Sequence, residues 1–131
     1  MAFKCPICDA NPKSHSFEKI DQIDDVTIFY SCPGDLVNED SLNVVNHYKD
    51  TLDEYMKEKW TWIIDSKSYK LKQSLHTNNA MKVIRLISRP EYLDKLQNII
   101  IVKANKQFKT IINILWLFLS KNIKEKIQFE N

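Results

Sequence analysis

The sequence predicts an α/β domain built on a small, mostly parallel β-sheet flanked by helices. Three short runs rich in β-branched and aromatic residues, at 26–30, 60–65 and 98–104, are typical of buried strands. Segments with apolar residues at helical spacing separate these runs. Strands that are apolar throughout and alternate with helices favour parallel pairing, right-handed crossovers and helices on both faces of the sheet.

The helices predicted between these strands have clear starting and stopping signals. The first begins after an N-cap at Asp40 or Ser41, and the second covers 78–88. Pro90 ends the second helix, because proline lacks an amide hydrogen and disfavours a helical residue before it. A further helical turn follows in "EYLDKL". The apolar stripes are Leu42, Val45, Tyr48, Leu52, Tyr55 and Met56 in the first helix, and Ala80, Val83, Ile84 and Ile87 in the second.

Length and composition indicate a single globular unit of 131 residues, 44% hydrophobic and 27% charged. Residues 1–35 form a cysteine-containing lead with the first strand, and residues 36–131 form the α/β domain proper.

The N-terminus lacks the apolar segment of a secretory signal, and three cysteines without such a signal favour reduced thiols and a cytoplasmic location. Lys, Ile and Asn supply 44 residues, a bias typical of an AT-rich genome such as that of a giant virus or a protist.

The net charge of +2 conceals a strong asymmetry along the chain. Residues 1–58 carry five lysines and twelve carboxylates, a net charge of −7, whereas residues 59–131 carry fourteen basic and five acidic residues, a net charge of +9. A basic half suggests an anionic partner: lipid headgroups, phosphate or nucleic acid. Ordinary solvated faces in a lysine-rich protein explain the same charges.

The segment 108–129, "FKTIINILWLFLSKNIKEKIQF", predicts a helix with two apolar faces followed by a lysine-rich tail. Its nine nearly unbroken apolar residues, 111–119, are too few to cross a bilayer, which needs about 20. One face carries Phe108, Ile111, Ile112, Leu115, Trp116 and Leu119, and a second patch carries Ile114, Leu117 and Phe118.

The second patch needs a cover, because exposing each large apolar side chain forgoes about 1.5–3 kcal/mol. Three covers fit the sequence: another layer of this protein or a dimer mate, a bound apolar ligand, or a membrane interface. In the last case Trp116 would lie at headgroup depth, and Lys121, Lys124 and Lys126 would reach phosphates.

The chain resembles the CRAL-TRIO lipid-binding domain of the phosphatidylinositol-transfer type across residues 42–129. The stretches that carry the resemblance are "WTWIIDSKSYKLKQSL", "AMKVIRLI" and "YLDKLQNIIIVKANKQFKTIINILWLFLSKNIKEKI". The family pattern has a strand ending in Asp, a glycine-containing loop, a helix, "YP-x-x-L-x-x-I-x-I-I-N-x-P-x-x-F", a long helix with "K-P-F-L", and "T-x-x-K-I". The matching residues are Asp65, Tyr92, Leu96, Ile99, Ile101, Phe108, Phe118, Leu119, Lys126 and Ile127.

The resemblance implies binding of a phospholipid or another small hydrophobic molecule, without catalysis. The helix 108–119 would be the gate that opens at membranes, and Lys126 would lie near an inositol phosphate. It also implies a partner membrane surface and a fold normally extended by a further strand and helices beyond this segment. From the residues themselves we expect no nucleic-acid partner. The candidate ligand-binding residues are Lys124, Lys126, Phe108, Ile111, Ile114, Leu115, Leu117, Phe118, Trp62 and Ile64.

Several positions depart from the family pattern. The loop glycine is missing, and Leu117 replaces the proline of "K-P-F-L". Ile123 replaces a threonine, which removes a hydroxyl from the headgroup site and weakens the case for phosphoinositide selectivity. The remaining departures are Ser68 and Lys70 in the loop, and Lys103 and Asn105 where Asn and Pro are usual.

The cysteine-containing lead predicts a structural zinc site, although no cofactor is required by the lipid-binding hypothesis. Cys5, Cys8, His15 and Cys32 supply four soft or imidazole ligands for a tetrahedral ion, with His47 as an alternative fourth ligand. Buried thiols beside a surface histidine explain the same residues.

Enzyme and nucleic-acid functions have weaker support. The chain has one glycine and three histidines, and it lacks a nucleophile elbow and a phosphate-binding loop. Asp65 at a strand end could act as a base, but such a residue more often caps a turn. Trp60, Trp62 and Tyr69 lie near lysines, yet both tryptophans lie within an apolar strand.

Overall fold

The computed structural model describes residues 17–32, 41–67 and 77–130, which form one five-stranded sheet with helices packed on it. The strands are β1 (Glu18–Ile23), β2 (Val26–Ser31), β3 (Lys59–Asp65), β4 (Leu96–Val102) and β5 (Ile127–Glu130). The helices are α1 (Ser41–Tyr55), α2 (Thr77–Ile87), α3 (Pro90–Leu93), α4 (Lys106–Trp116) and α5 (Lys121–Lys126).

The order of the strands across the sheet is their order along the chain, β1-β2-β3-β4-β5. The first pair is antiparallel, with a bulge between Lys19 and Asp21, and the other three pairs are parallel. Each parallel strand lies on the same side of the strand before it. Right-handed crossovers between strands in this order place all the connecting helices on one face of the sheet.

This helix-covered face contains the hydrophobic core. Phe29, Trp62, Ile99 and Ile127 are register partners across four strands, so their side chains share one face. The first three are buried in a cluster that also receives buried side chains from the helices. The helix residues of this cluster are Tyr48, Leu52, Val83, Leu86, Ile87, Tyr92, Phe108, Ile111, Leu115 and Ile123.

The opposite side of the sheet, which we call the second face, is mostly half-buried, although Thr61 and Asp65 on it are buried. Tyr30, Ile63 and Ile100 are register partners there, and each is intermediate in exposure. Ile28 and Val102 on the same face are equally half-buried. The expectation of helices on both faces is therefore not met in the described residues, because crossovers that all run in one direction cover one face.

All three strands predicted from sequence are confirmed, as are α1, α2 and the short α3. The N-cap predicted at Asp40 or Ser41 lies outside the described side chains. The sequence did not predict β1 and β5. Half of the residues of β1 are charged and most are exposed, and β5 has four residues directly after a helix, so neither shows the apolar run of a central strand.

The turn from β4 into α4 contains a lysine in the left-handed backbone region, with Lys103 at φ 54°. Asparagine tolerates this region better than lysine does. It is also the residue usual at this position in the family pattern. We expect Lys103→Asn to raise the free energy of unfolding by about 0.5–1 kcal/mol in urea titrations. Lys109→Asn, the control, removes the same charge from a helical position. It should lower the free energy of unfolding by a few tenths of a kcal/mol, about the difference in helix propensity between the two residues.

Candidate functional site

The N-terminus of α4 is fixed to the end of β3 by a polar network. The Asn105 side-chain oxygen accepts from the Phe108 amide at 2.8 Å and caps the helix. The Asn105 side-chain amide donates to the Ser66 carbonyl at 3.1 Å, and the Ser66 hydroxyl donates to the Lys103 carbonyl at 2.5 Å. Asn105 thus anchors the helix where the family usually has proline.

The inner side of α4 is part of the hydrophobic core. Phe108, Ile111 and Leu115 are buried, and Ile112 and Leu119 pack partly against the same cluster. Together with Trp116, which is half-buried but not part of the cluster, these residues make up the first apolar face predicted from sequence. In the structure the buried and partly buried side chains named above pack against the hydrophobic core on the inner side of α4.

The second apolar face predicted from sequence is exposed to solvent. Ile114 is 50% exposed, Leu117 82% and Phe118 61%. The helix ends at Trp116, so Leu117 and Phe118 lie in the turn before α5 rather than within a helix that extends to residue 119. We call these three residues the apolar turn.

The turn is held by caps on both sides. The Phe118 amide donates to the Leu115 carbonyl at 2.8 Å, and Leu117 is the C-cap of α4. The Ser120 hydroxyl accepts from the Ile123 amide at 3.3 Å and starts α5. The backbone therefore fixes the apolar turn in an exposed position.

The two headgroup lysines predicted from the resemblance make different contacts. The Lys124 ammonium lies 5.7 Å from the centre of the Trp116 ring, a cation–π contact across the corner between α4 and α5. The Lys126 ammonium donates to the Leu96 carbonyl at 2.5 Å, at the amino end of β4. Beside it lies a shallow depression of about 450 Å³ lined by Leu93, Asp94, Asn122, Glu125 and Lys126.

The two predicted strand residues, Trp62 and Ile64, lie in the core on the helix-covered face. The Trp62 indole donates to the Ser31 hydroxyl at 2.8 Å, and Tyr48 lies 3.3 Å from the same hydroxyl. Burial raises the pKa of Tyr48 to about 12. This part of the core is aromatic and satisfied in its hydrogen bonds.

The structure therefore divides the predicted site residues into three groups, and ligand binding by each group stays a prediction. Phe108, Ile111, Leu115, Trp62 and Ile64 are in the core; Ile114, Leu117 and Phe118 are exposed; Lys124 and Lys126 contact Trp116 and Leu96.

The sequence did not show which face of the sheet the helices leave uncovered. The central strands are apolar on both sides, so they lack the alternation of apolar and polar residues that would show which side the helices cover. The direction of the crossovers was the signal that could have identified it.

Asp65, considered above as a base, has contacts typical of a structural residue. It is buried, and its two carboxylate oxygens accept from the Tyr30 hydroxyl at 2.7 Å and from the Lys67 amide at 2.9 Å. These contacts fix the end of β3 and the turn that follows it.

The predicted zinc ligands Cys5, Cys8 and His15 lie outside the described residues. Cys32 is described and is buried directly after β2, with its sulfur 3.9 Å from the Lys67 carbonyl. Within the described ranges no cluster of three or more His, Cys, Asp and Glu could hold a metal. The zinc site remains a prediction.

His47, the alternative zinc ligand, makes a hydrogen bond between its Nε2 and the Phe17 carbonyl at 2.8 Å. Burial lowers the pKa of His47, while the Phe17 carbonyl and the Asp50 carboxylate oppose the shift. Folding therefore favours the neutral ring. This contribution to stability is complete above the unfolded pKa of about 6.5 and is lost as the pH falls toward the lowered folded value.

We expect His47→Gln to reduce the loss of stability between pH 7 and pH 5, measured as the urea midpoint at each pH. The glutamine amide can still donate toward the Phe17 carbonyl, so the variant should fold. An unchanged pH dependence would show that other groups cause it.

Comparisons with known proteins identify the domain family of this chain. The profile of the CRAL/TRIO domain matches residues 11–131, more than nine-tenths of the chain. The chain belongs to the CRAL/TRIO domain family. Membership supports binding of a lipid or another small hydrophobic molecule, which is the general activity of the family.

A solved structure shows the same fold as this CRAL/TRIO domain. The crystal structure of Sfh5 matches with a TM-score of 0.66 at 15% identity, over 92% of this chain and 55% of that one. The chain thus spans just over half the length of that protein. The comparison with curated proteins returned no match. None of the helices in the described ranges is long and apolar enough to span a bilayer.

Proposed function

We propose that this CRAL/TRIO domain binds a phospholipid or another small hydrophobic ligand and that it meets membrane surfaces through the apolar turn. The observation that carries the proposal is the pairing of two apolar surfaces on α4 and the turn that follows it. The inner surface packs against the sheet, and the outer one, at Ile114, Leu117 and Phe118, is exposed beside lysines.

The apolar turn has the composition of a membrane-contact segment. Apolar side chains that lie next to lysines and a half-buried tryptophan are typical of interfacial segments. Lys121 and Lys124 follow the turn directly, where they can reach lipid phosphates while Leu117 and Phe118 enter the acyl boundary.

A ligand between α4 and the sheet requires α4 to move outward. Separating Phe108, Ile111 and Leu115 from the core would cost about 5–9 kcal/mol in total, at about 1.5–3 kcal/mol for each side chain. Burial of a ligand restores about 0.8 kcal/mol per methylene, so roughly six to eleven methylene groups offset this cost. The ligand we propose is therefore a molecule with a long hydrocarbon chain.

In this scheme Lys126 is the headgroup ligand after α4 has moved. Its ammonium must exchange the Leu96 carbonyl for a lipid phosphate, which a lysine binds as a point charge. Ile123, at the position of the family's threonine, is buried in the core and offers no hydroxyl. We accordingly propose recognition of a phosphate without selectivity for inositol.

Native mass spectrometry of the purified chain tests the proposal. We expect a co-purified mass of several hundred daltons that is released by organic extraction and identified as a lipid. A bare chain after exposure to lipid vesicles would contradict the proposal. A zinc-only adduct would favour the alternative, an interaction or structural module stapled by zinc that keeps the scaffold without the ligand.

A further inference from the structure

The strand order converts the charge asymmetry of the sequence into a spatial one. The acidic half of the chain supplies β1 and β2, and the basic half supplies β4, α4, α5 and β5 at the other side of the sheet. Five strands about 4.8 Å apart separate the two edges by roughly 19 Å. This exceeds the screening length of about 8 Å in physiological salt, so each pole meets a charged surface almost independently.

The basic pole is a continuous part of the chain. Residues 103–126 contain six lysines and one carboxylate, Glu125. Lys103, Lys106, Lys109 and Lys121 are exposed, and Lys124 is half-buried. Glu125 neutralises little of this charge, because it lies 4.0 Å from Lys121 and both side chains are more than half exposed.

The apolar turn lies within this basic pole. Residues 106, 109, 113, 114 and 117 are all exposed, and at 100° per residue they lie on the side of α4 opposite the buried Phe108, Ile111 and Leu115. Along the chain the order of these exposed residues is basic, apolar, basic: Lys106 and Lys109, then Ile114, Leu117 and Phe118, then Lys121.

The acidic pole lies at the β1 edge. Glu18, Asp21 and Asp24 are exposed there, and Asp25 is half-buried with the Lys59 ammonium 3.8 Å from its carboxylate; β1 itself carries one lysine, Lys19. An anionic surface would repel this edge while it attracts the basic pole.

We infer that the partner of the basic pole is an anionic bilayer surface, which binds the domain in one orientation, with the apolar turn inserted and the β1 edge pointing away. The inference rests on the proposed function, because it assigns the headgroup charge to the membrane contact proposed there. An anionic bilayer satisfies both halves of the surface, since it offers phosphates to the lysines and hydrocarbon to the apolar turn. A nucleic acid would satisfy the lysines alone.

Vesicle co-sedimentation tests the requirement for negative charge. We expect tight binding to phosphatidylcholine vesicles with about 30% phosphatidylserine, weak binding to pure phosphatidylcholine, and a loss of binding as salt rises. Replacing Lys106, Lys109 and Lys121 with glutamine should weaken binding about 100-fold, at about fivefold for each lysine near the surface. The same charge change at Lys19, Lys49 and Lys57 in the acidic half is the matched control, and it should change binding less than about threefold, because these lysines lie outside the basic pole.

Two measurements test the orientation. Brominated phosphatidylserine should quench the fluorescence of Trp116, and Trp116→Phe should remove this quenching, because Trp60 and Trp62 are buried in the core. Amide exchange should slow at 114–121 on anionic vesicles and remain unchanged at 18–25.

Three outcomes would overturn the inference: equal binding to neutral and anionic vesicles, equal losses in the two lysine variants, or protection of the β1 edge. Binding to a single-stranded oligonucleotide that the Leu117→Asp/Phe118→Asp variant retains, without vesicle binding, would also overturn it. A lipid mass in native spectra together with charge-independent vesicle binding would reject this inference and leave the proposed function standing.

Discussion

The Leu117→Asp/Phe118→Asp variant should lose at least about 100-fold of its partitioning onto anionic vesicles in flotation. Each large apolar side chain contributes about 1.5–3 kcal/mol when it leaves water fully, and the new carboxylates add repulsion from the headgroups. The two residues are 82% and 61% exposed, so the substitutions should leave the circular dichroism spectrum and the thermal midpoint unchanged.

The control for this variant is Ile20→Asp/Ile23→Asp. These isoleucines are 49% and 53% exposed, but they lie on β1, at the opposite edge of the sheet. The control should bind vesicles as the unsubstituted protein does. Unchanged flotation of the Leu117→Asp/Phe118→Asp variant would count against membrane contact through the apolar turn.

The same variant separates a membrane contact from a dimer contact. If the unsubstituted protein sediments as a dimer and the variant as a monomer, while neither binds vesicles, then a second copy covers the apolar turn. This distinguishes the alternatives that the sequence left open for the second apolar face.

Trp60→Ala should have the largest effect on stability, a loss of about 3–5 kcal/mol in the free energy of unfolding. Trp60 is completely buried in β3, with its ring 5.9 Å from that of Phe29 and 6.4 Å from that of Trp62. Its indole donates to the Tyr92 carbonyl at 2.8 Å and so connects the central strand to α3. Domains of this size have about 5–15 kcal/mol of stability, so the loss would bring a domain at the lower end of this range close to unfolding at ambient temperature.

Urea denaturation followed by circular dichroism measures this loss, and two further variants interpret it. Trp60→Phe keeps most of the volume but leaves the Tyr92 carbonyl without this donor, so it should cost about 1–3 kcal/mol. Leu117→Ala removes an exposed side chain and should change stability by less than about 0.5 kcal/mol. If Trp60→Ala were as stable as Leu117→Ala, the assignment of Trp60 to the core would be wrong.

The strands that sequence reasoning found are those whose side chains are buried by neighbours on both sides in the sheet. The stretch "WTWIID" forms β3 because β-branched and aromatic residues fit a central strand, whatever the helices do. β1, "EKIDQI", has no such pattern, since an edge strand with exposed side chains is under little pressure to be apolar. β5 is too short to show any period, and its pairing with β4 stabilises it.

The candidate site was predictable only in part, and the same helix shows why. The spacing of apolar residues in 108–119 predicted two faces, and the structure has one buried and one exposed face. Spacing could not predict that the helix ends at Trp116, or that Lys126 contacts the Leu96 carbonyl 30 positions away. Such contacts depend on how distant segments meet, and no local pattern encodes them.

By itself, the sequence determined the inner strands β2, β3 and β4, the helices α1, α2 and α3, the apolar stripes of the helices, and that one half of the chain is basic. These are local properties, because backbone preference and the spacing of side chains act over a few residues. Only the tertiary structure decided that the helices pack on one face of the sheet, that the apolar turn is exposed, and that the acidic and basic halves lie at opposite edges. Those properties follow from strand order and crossover direction, which are set by the packing of the whole chain.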